Sequence, residues 1–257
     1  SILKAVDLYA PLLRLSAANR GNDLRLGGHE APPAVISVYL GDSLTDVLEG
    51  LGCGELVECQ DQGYLKMGTS NLPRLPKDTT DRNRTSPFAF TGNKFEFRMV
   101  PSSGSIAEPN IVLNTAVADV LSEIADRLEQ SPDSERTAMA MVKEYYGKHK
   151  RIIFNGDGYS DSWEKEARRR GLPCFQSTID VLPELVKPYT RNLFRRQKIF
   201  TGQELESRFN VYLERYTKEV NIEAAVAVEM AEKQIIPAAI GFAGDVAESL
   251  ERSMKIV

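Results

Sequence analysis

This sequence has few cysteines, few histidines and a small net charge, and each of these features excludes a class of protein. Three cysteines in 257 residues are few, and odd in number, for a disulfide framework. Cys53 and Cys59 are too widely spaced for a zinc knuckle, and neither His29 nor His149 is an obvious partner. The formal net charge of −4 gives no general electrostatic reason to bind nucleic acid. We therefore expect a cytoplasmic protein with no nucleic-acid partner.

Long apolar runs are also missing. None approaches the roughly 20 residues that a membrane-spanning helix needs, and the opening SILKAVDLYA lacks the pattern of a signal peptide. Hydrophobic residues make up 42% and charged residues 26%, which is typical of a soluble globular protein that buries a core. The chain opens without Met on an apolar helical pattern and closes soon after a helical run. We expect a fragment of a longer subunit that does not enter a membrane.

The apolar pattern predicts mixed structure in the front half and helices in the back half. Residues 2–18 predict a helix that Pro11 kinks or divides, and AVISVYLG predicts a short β segment. An irregular section follows from about 50 to 86, and KFEFRMV then alternates between polar and apolar residues as a strand does. Apolar spacing over 109–129, with Pro109 in the first turn, predicts an amphipathic helix.

Beyond residue 130 the sequence carries repeated helix signals. The break SPDS separates the first helix from another that ends near 148, and RIIF at 151–154 predicts a lone strand. Capping boxes at Asp161 to Glu164 and at Thr201 to Glu204 each predict a helix start. Pro237 must bend or stop the last long helical stretch. These patterns predict an α+β protein.

The strand KFEFRMV places three charged residues on one face. Side chains alternate along a strand, so Lys94, Glu96 and Arg98 share a face opposite the aromatic residues. Solvated charges on an exposed strand are one interpretation. The other interpretation is that Glu96 binds a hard metal ion and that Lys94 and Arg98, on either side of it, bind anionic oxygens.

Two further stretches favour a functional interpretation. DRNRTS adds Arg82 and Arg84 in a polar loop just upstream of the strand. RLGGHEAPPA places Arg25 five residues before Glu30, across two glycines that allow a loop to move. A glutamate on such a loop can close over a site and accept a proton, although a plain surface acid has the same pattern.

These motifs, in this order, resemble the second half of a glutamine synthetase catalytic domain. The set is RLGGHEAPPA, then DRNRTSPFAFTGNKFEFR, then the PNIVLNT helix. FNGDGYSDSWEKEARRRGLP, STIDVLPEL and NIEAAVAVEMAEKQIIPAAI are similar to the type III class in particular, so the resemblance covers nearly the whole chain. It implies part of an α+β catalytic fold, an antiparallel sheet with helices, over 1–130 and a mostly helical C-terminal region over 131–257.

The resemblance also implies a reaction and a set of cofactors. Family members join glutamate and ammonia with ATP, through a γ-glutamyl phosphate, and use two or three divalent ions such as Mg²⁺ or Mn²⁺. Glu30 would be the flap glutamate that closes the site and helps deprotonate ammonium. Arg25 and Arg98 would hold the carboxylates of glutamate, a role that suits the guanidinium fork.

The remaining roles concern ATP and the metal. Arg84 would stabilise the transferring phosphoryl group of ATP, Lys94 would face the nucleotide phosphates, and Glu96 would bind a metal ion. The chain departs from the family pattern in three places, which are Ala89 where shorter members have a second arginine, Lys94 where many have arginine, and Pro101 where glycine is expected. Lys94 thereby loses the bidentate geometry of arginine.

The implied assembly is a homo-oligomer of stacked rings with active sites between subunits. The other metal ligands of the family come from strands that precede the equivalent of residue 1, so the isolated fragment is expected to be inactive. Two alternatives stay open, which are an inert glutamine-synthetase-like binding or assembly protein and a guanidino kinase on the related fold.

Overall fold

A computed structural model of the chain describes residues 1–28, 31–53 and 86–255. The chain divides into two compact units, Ser1–Asn210 and Val211–Val257. Helices dominate the described residues, and one small three-stranded sheet joins them. The expected α+β class is therefore confirmed. The boundary expected at residue 130 stays a prediction.

Three short helices open the chain. Helices α1 (Ile2–Leu8) and α2 (Ala10–Ser16) are separated at Tyr9, and Pro11 occupies the first turn of α2. The break falls there because proline is tolerated in a first turn but removes a hydrogen bond from a helix interior. Helix α3 (Arg20–Arg25) begins after Asn19, whose side chain accepts a hydrogen bond from the N–H of Asn22 at 2.8 Å.

The sheet has the order β1 (Val38–Tyr39), β2 (Phe88–Phe90) and β3 (Phe95–Phe97). β1 and β2 run parallel, whereas β2 and β3 form an antiparallel hairpin, so the expected antiparallel pairing holds for the hairpin. Gly92 has a φ of 91° in the hairpin turn, a backbone conformation that glycine adopts without a Cβ clash. Helix α4 (Asp42–Cys53) continues into the section expected to be irregular, which is wrong for residues 50–53, and residues 54–85 lie outside the described residues.

Two long helices follow the hairpin. α5 (Ala107–Glu129) carries Pro109 in its first turn, and α6 (Ser134–His149) is capped by Asp133, which accepts a hydrogen bond from the N–H of Arg136. α5 packs against α1, α2 and α6. Apolar side chains that are almost fully buried fill this interface: Val6, Leu12, Leu13, Ala116, Val120 and Met141.

The strand predicted at 151–154 is wrong. Lys150–Ile152 forms a 3₁₀ turn, and Ile153 makes only an isolated parallel bridge to Val38. The run meets the sheet at this one bridge, where the Phe154 N–H donates to the Val38 carbonyl at 3.0 Å. Ile152 is fully buried, and Phe154 stacks on Trp163 with ring centroids 3.8 Å apart.

Three helices complete the first unit before the last long helix begins: α7 (Asp161–Arg169), α8 (Thr178–Val181) and α9 (Pro188–Arg196). A second 3₁₀ turn lies at Leu182–Val186. The capping box predicted from Asp161 is wrong, because Ser160 is the N-cap and makes no side-chain cap hydrogen bond. Asp161 instead lies in the first turn, where a negative charge favours the helix dipole. Gly171, with a φ of 69°, ends the helix as the sequence predicted.

Helix α10 (Gly202–Met230) starts at the predicted capping box. The N–H of Thr201 donates to the Glu204 carboxylate at 2.7 Å, and the N–H of Glu204 donates back to the Thr201 hydroxyl at 3.3 Å. A π-helical turn, Ala231–Ile235, separates α10 from α11 (Ile236–Met254), with Pro237 in the first turn of α11. No described residue of Val211–Val257 is buried, and no helix among the described residues is long and apolar enough to cross a membrane.

Candidate active site

Arg25 ends helix α3 beside the end of strand β3. Its guanidinium Nη1 donates to the Asn22 side-chain oxygen at 2.9 Å and to the Met99 carbonyl at 3.2 Å. Met99 directly follows Arg98 and is fully buried. The fold therefore brings the Arg25 guanidinium to the backbone of the residue after Arg98, and that residue lies 74 positions from Arg25 in the sequence.

Asn22 links helix α3 to the segment that follows strand β3. Its side chain is fully buried, and its amide Nδ2 donates to the Ala17 carbonyl at 2.6 Å and to the Met99 carbonyl at 3.0 Å. A buried amide is costly unless its hydrogen-bonding groups are satisfied, and here both ends have partners. Sequence reasoning missed Asn22, because nothing in its local pattern points to residue 99.

Glu96 of β3 contacts the two charged residues that flank the strand, Lys94 and Arg98. Arg98 donates to Glu96 Oε2 from Nε at 3.2 Å and from Nη2 at 3.1 Å, and Lys94 Nζ lies 3.3 Å from Glu96 Oε1. On the opposite face, Phe95 and Phe97 pack against Phe88 with ring centroids 5.7 and 6.0 Å apart. The alternation predicted from the sequence thus separates a charged face from an aromatic one.

Hydrogen bonds from Arg98, and then from Lys94, lower the pKa of Glu96 against a smaller opposing effect of burial. Glu96 is consequently a carboxylate at neutral pH. Its side chain is 36% exposed, and a carboxylate has about four lone-pair directions, so it can bind a further cation while paired.

A hard anionic oxygen fits Mg²⁺ or Mn²⁺. The described residues contain no group of three or more His, Cys, Asp or Glu side chains placed to hold a metal ion. Within these residues Glu96 therefore offers one hard carboxylate ligand and not a complete metal site.

Glu30 and Arg84, with Arg82, lie outside the described residues. Among the described residues, Gly27, with a φ of 80°, lies two residues beyond the end of α3 and donates its N–H to the Pro32 carbonyl at 3.2 Å. Of the six predicted site residues, four lie among the described residues: Lys94 and Arg98 contact Glu96, Arg25 reaches the carbonyl next to Arg98, and their roles stay predictions.

A second polar cluster holds α3 from the other side. Arg14, which is 1% exposed, donates from Nη2 to Asp23 Oδ1 at 3.2 Å and from Nε to the Phe175 carbonyl at 2.9 Å. Thr178 donates to Asp23 from its N–H at 2.9 Å and from its hydroxyl at 2.8 Å. Sequence reasoning missed these residues too, although a lone arginine inside the apolar stretch LLRLS was a usable signal that a buried partner is needed.

Comparison with known proteins finds similarity to glutamine synthetases. Residues 137–254 match the family described as the glutamine synthetase C-terminal domain. The match covers α6 to α11 and includes Thr178 of the polar cluster. It lies C-terminal to the four assembled site residues.

Three relatives align with the whole of this chain. A type-3 glutamine synthetase of Dictyostelium discoideum is 41% identical over 260 residues, and a glutamine synthetase of Butyrivibrio fibrisolvens is 37% identical over 260. A glutamine synthetase of Bacteroides fragilis is 38% identical over 267 residues. The chain spans 35–37% of the length of these relatives. The resemblance to type III glutamine synthetases is therefore confirmed along the whole chain.

Proposed function

We propose that this chain forms one wall of a glutamate–ammonia ligase that makes glutamine from glutamate, ammonia and ATP. The observation that supports this most is the hydrogen bond from Arg25 to the Met99 carbonyl, one residue beyond Arg98, with Arg98 itself paired to Glu96. Two guanidinium groups next to a metal-binding carboxylate suit a substrate with two carboxylates, one of which is activated.

In the proposed reaction, Arg25 and Arg98 bind the carboxylates of glutamate and orient the γ-carboxylate toward ATP. Glu96 would hold a divalent ion, Mg²⁺ or Mn²⁺, which would supply Lewis-acid neutralisation of phosphate charge. Lys94 faces the nucleotide phosphates as a point charge.

Glu30 and Arg84, which lie outside the described residues, complete the proposal. Glu30 closes over bound substrate, excludes water and takes a proton from ammonium. Arg84 stabilises the charge on the transferring phosphoryl group. The ammonia then displaces phosphate from the γ-glutamyl phosphate.

The assembly proposed with this function is a cytoplasmic homo-oligomer of stacked rings with active sites between subunits. Residues 1–130 would belong to the catalytic domain and 131–257 to a helical region that packs on it. Support comes from the relatives, which are named glutamine synthetases and align with all of this chain.

The test is phosphate release by the protein at its natural length, measured with and without glutamate and ammonium. We expect release that depends on both substrates. Arg98→Lys keeps the charge but loses the fork, so kcat/KM for glutamate should fall more than tenfold while the KM for ATP changes little.

Arg168→Lys is the matched control, because Arg168 makes an exposed ion pair with Glu164 one helical turn away. It should leave every kinetic constant unchanged. If the natural-length protein binds glutamate but releases no ammonium-dependent phosphate, the proposed ligase activity is contradicted. The alternative of an inert binding protein is then supported. An Arg98→Lys enzyme with wild-type constants would remove Arg98 from the site.

A further inference from the structure

Helix α3 is too short to hold its own position. It has six residues, whereas isolated helices shorter than roughly 12–15 residues are marginal in water. The direction of the Arg25 side chain is therefore set by the contacts that α3 makes with the rest of the fold.

Two such contacts lie on different sides of the helix. Asn22 and Arg25, one turn apart, both donate to the Met99 carbonyl at the end of β3. Asp23 precedes Arg25 by two positions, so its side chain points about 200° around the helix axis from that of Arg25. Fixing Asp23 on one side therefore fixes the rotation that aims Arg25 at β3 on the other.

Asp23 is held firmly. Its side chain is 6% exposed and accepts hydrogen bonds from Arg14 at 3.2 Å, from the Thr178 N–H at 2.9 Å and from the Thr178 hydroxyl at 2.8 Å. Arg14 also donates to the Phe175 and Gln176 carbonyls at 2.9 and 3.2 Å. One segment, 175–178, thus contacts both members of the Arg14–Asp23 pair.

The geometry points to Asp23 and Thr178 as positioning residues, through which the C-terminal domain sets the orientation of the glutamate-binding Arg25. Residues 175–178 lie within the region that matches the glutamine synthetase C-terminal domain, and α3 lies outside it. The inference rests on the proposed function, because it takes Arg25 as the residue that binds glutamate. It assigns that domain a part in substrate affinity besides its part in the fold.

The variant that tests this is Thr178→Val, which removes the hydroxyl donor and keeps the backbone N–H and the shape. Thr190→Val is the matched control. Thr190 is also fully buried and its hydroxyl also makes one hydrogen bond, at 2.6 Å to the Glu184 carbonyl, with no link to α3. Thr178→Ser restores the hydroxyl and serves as the conservative rescue.

In the protein at its natural length, we expect Thr178→Val to raise the KM for glutamate about tenfold, the effect of losing one hydrogen bond to a charged group. The KM for ATP should stay within twofold. Thr178→Ser should behave as wild type, and Thr190→Val should leave the KM for glutamate unchanged. Equal changes in Thr178→Val and Thr190→Val, or equal changes in both KM values, would overturn the positioning role.

Amide hydrogen exchange separates this inference from the proposed function. Thr178→Val should speed exchange of the Leu26 N–H, which donates to the Asn22 carbonyl at 2.9 Å, and Thr190→Val should not. This readout needs no activity, so it decides the link to α3 even in a protein without ligase activity. Unchanged exchange at Leu26 in Thr178→Val would contradict the link.

Discussion

The two compact units differ in whether they contain buried charge pairs. Ser1–Asn210 has exposed pairs one helical turn apart, such as Arg168 with Glu164, but it also has pairs with a buried carboxylate, as in Arg14 with Asp23 and in Arg151 with Asp7. In Val211–Val257 the ion pairs of the described residues lie one helical turn apart and are exposed: Arg215–Glu219, Lys218–Glu214, Lys233–Glu229, Arg252–Glu248 and Lys255–Glu251.

The comparison indicates which charged residues fix the positions of the segments around them. A buried pair has lost its water, so removing one partner leaves the other charge uncompensated. In an exposed pair one turn apart, each side chain replaces contacts with water by contacts with its partner. The net stabilisation is therefore small and limited to the local helix. The proposed glutamate-binding site depends on buried pairs.

The largest effect should come from breaking the buried pair at α3. Asp23→Ala leaves the Arg14 guanidinium, 1% exposed, without its carboxylate and should lower the free energy of unfolding by about 4 kcal/mol. Urea denaturation measures the change. Glu248→Ala, which breaks the exposed pair with Arg252, is the control, and an equal loss in both variants would erase the distinction between the units.

Apolar side chains should show the same contrast at somewhat smaller cost. Leu12 is fully buried, so Leu12→Ala should lower the free energy of unfolding by about 3 kcal/mol through lost burial and a residual cavity. Leu250 of α11 is 61% exposed, and Leu250→Ala should leave urea stability unchanged. A large loss on Leu250→Ala would show that α11 buries this residue in the intact protein.

A third contrast depends on pH. Burial raises the pKa of Asp119, but hydrogen bonds from Tyr9, Arg196 and Gln197 outweigh it and hold the pKa below the ordinary value of 3.8. A carboxyl group whose folded pKa is depressed adds stability above its unfolded pKa and loses it as pH falls through the folded pKa. The stability difference between wild type and Asp119→Asn should therefore be full near pH 6 and shrink below about pH 4.

Urea denaturation of both proteins at several pH values checks this, with Glu219→Gln as the exposed control. A stability difference that stays constant between pH 6 and pH 3 would mean that the Tyr9–Asp119–Arg196 cluster does not stabilise the fold through the charge on Asp119.

The smallest effect should come from the exposed pairs of the second unit. Lys233→Gln removes the pairing with Glu229, in which both side chains are more than 60% exposed. The thermal midpoint should stay within experimental error, and added salt should not change that result. A clear loss of stability would mean that a partner covers this helix.

Local signals in the sequence predicted much of the fold. The break before Pro11, the span of α5, the Thr201–Glu204 cap and the interruption at Pro237 all follow from rules that act within one or two turns. The strand predicted from RIIF is wrong because its first residues form a 3₁₀ turn, so only an isolated bridge between Ile153 and Val38 remains of the pairing.

The candidate site was predictable only in part. Motif order and strand alternation placed Lys94, Glu96 and Arg98 on one face and suggested Arg25. Asn22 and Thr178 could not be found this way, because their partners lie 77 and 155 residues away in sequence. Such contacts depend on how helices pack, and a single sequence does not record that packing.

The central claim is that α3 and β3 together bind glutamate, and a double-mutant cycle tests it most directly. Calorimetric titration would measure the affinity of the natural-length protein for glutamate, with Mg²⁺ and a non-hydrolysable ATP analogue already bound. The four proteins compared are wild type, Arg25→Lys, Arg98→Lys and the double variant. We predict that each single variant weakens binding and that the two are coupled by about 1 kcal/mol, because both arginines contact one ligand. Strictly additive losses, or single variants that bind glutamate as wild type does, would contradict the account.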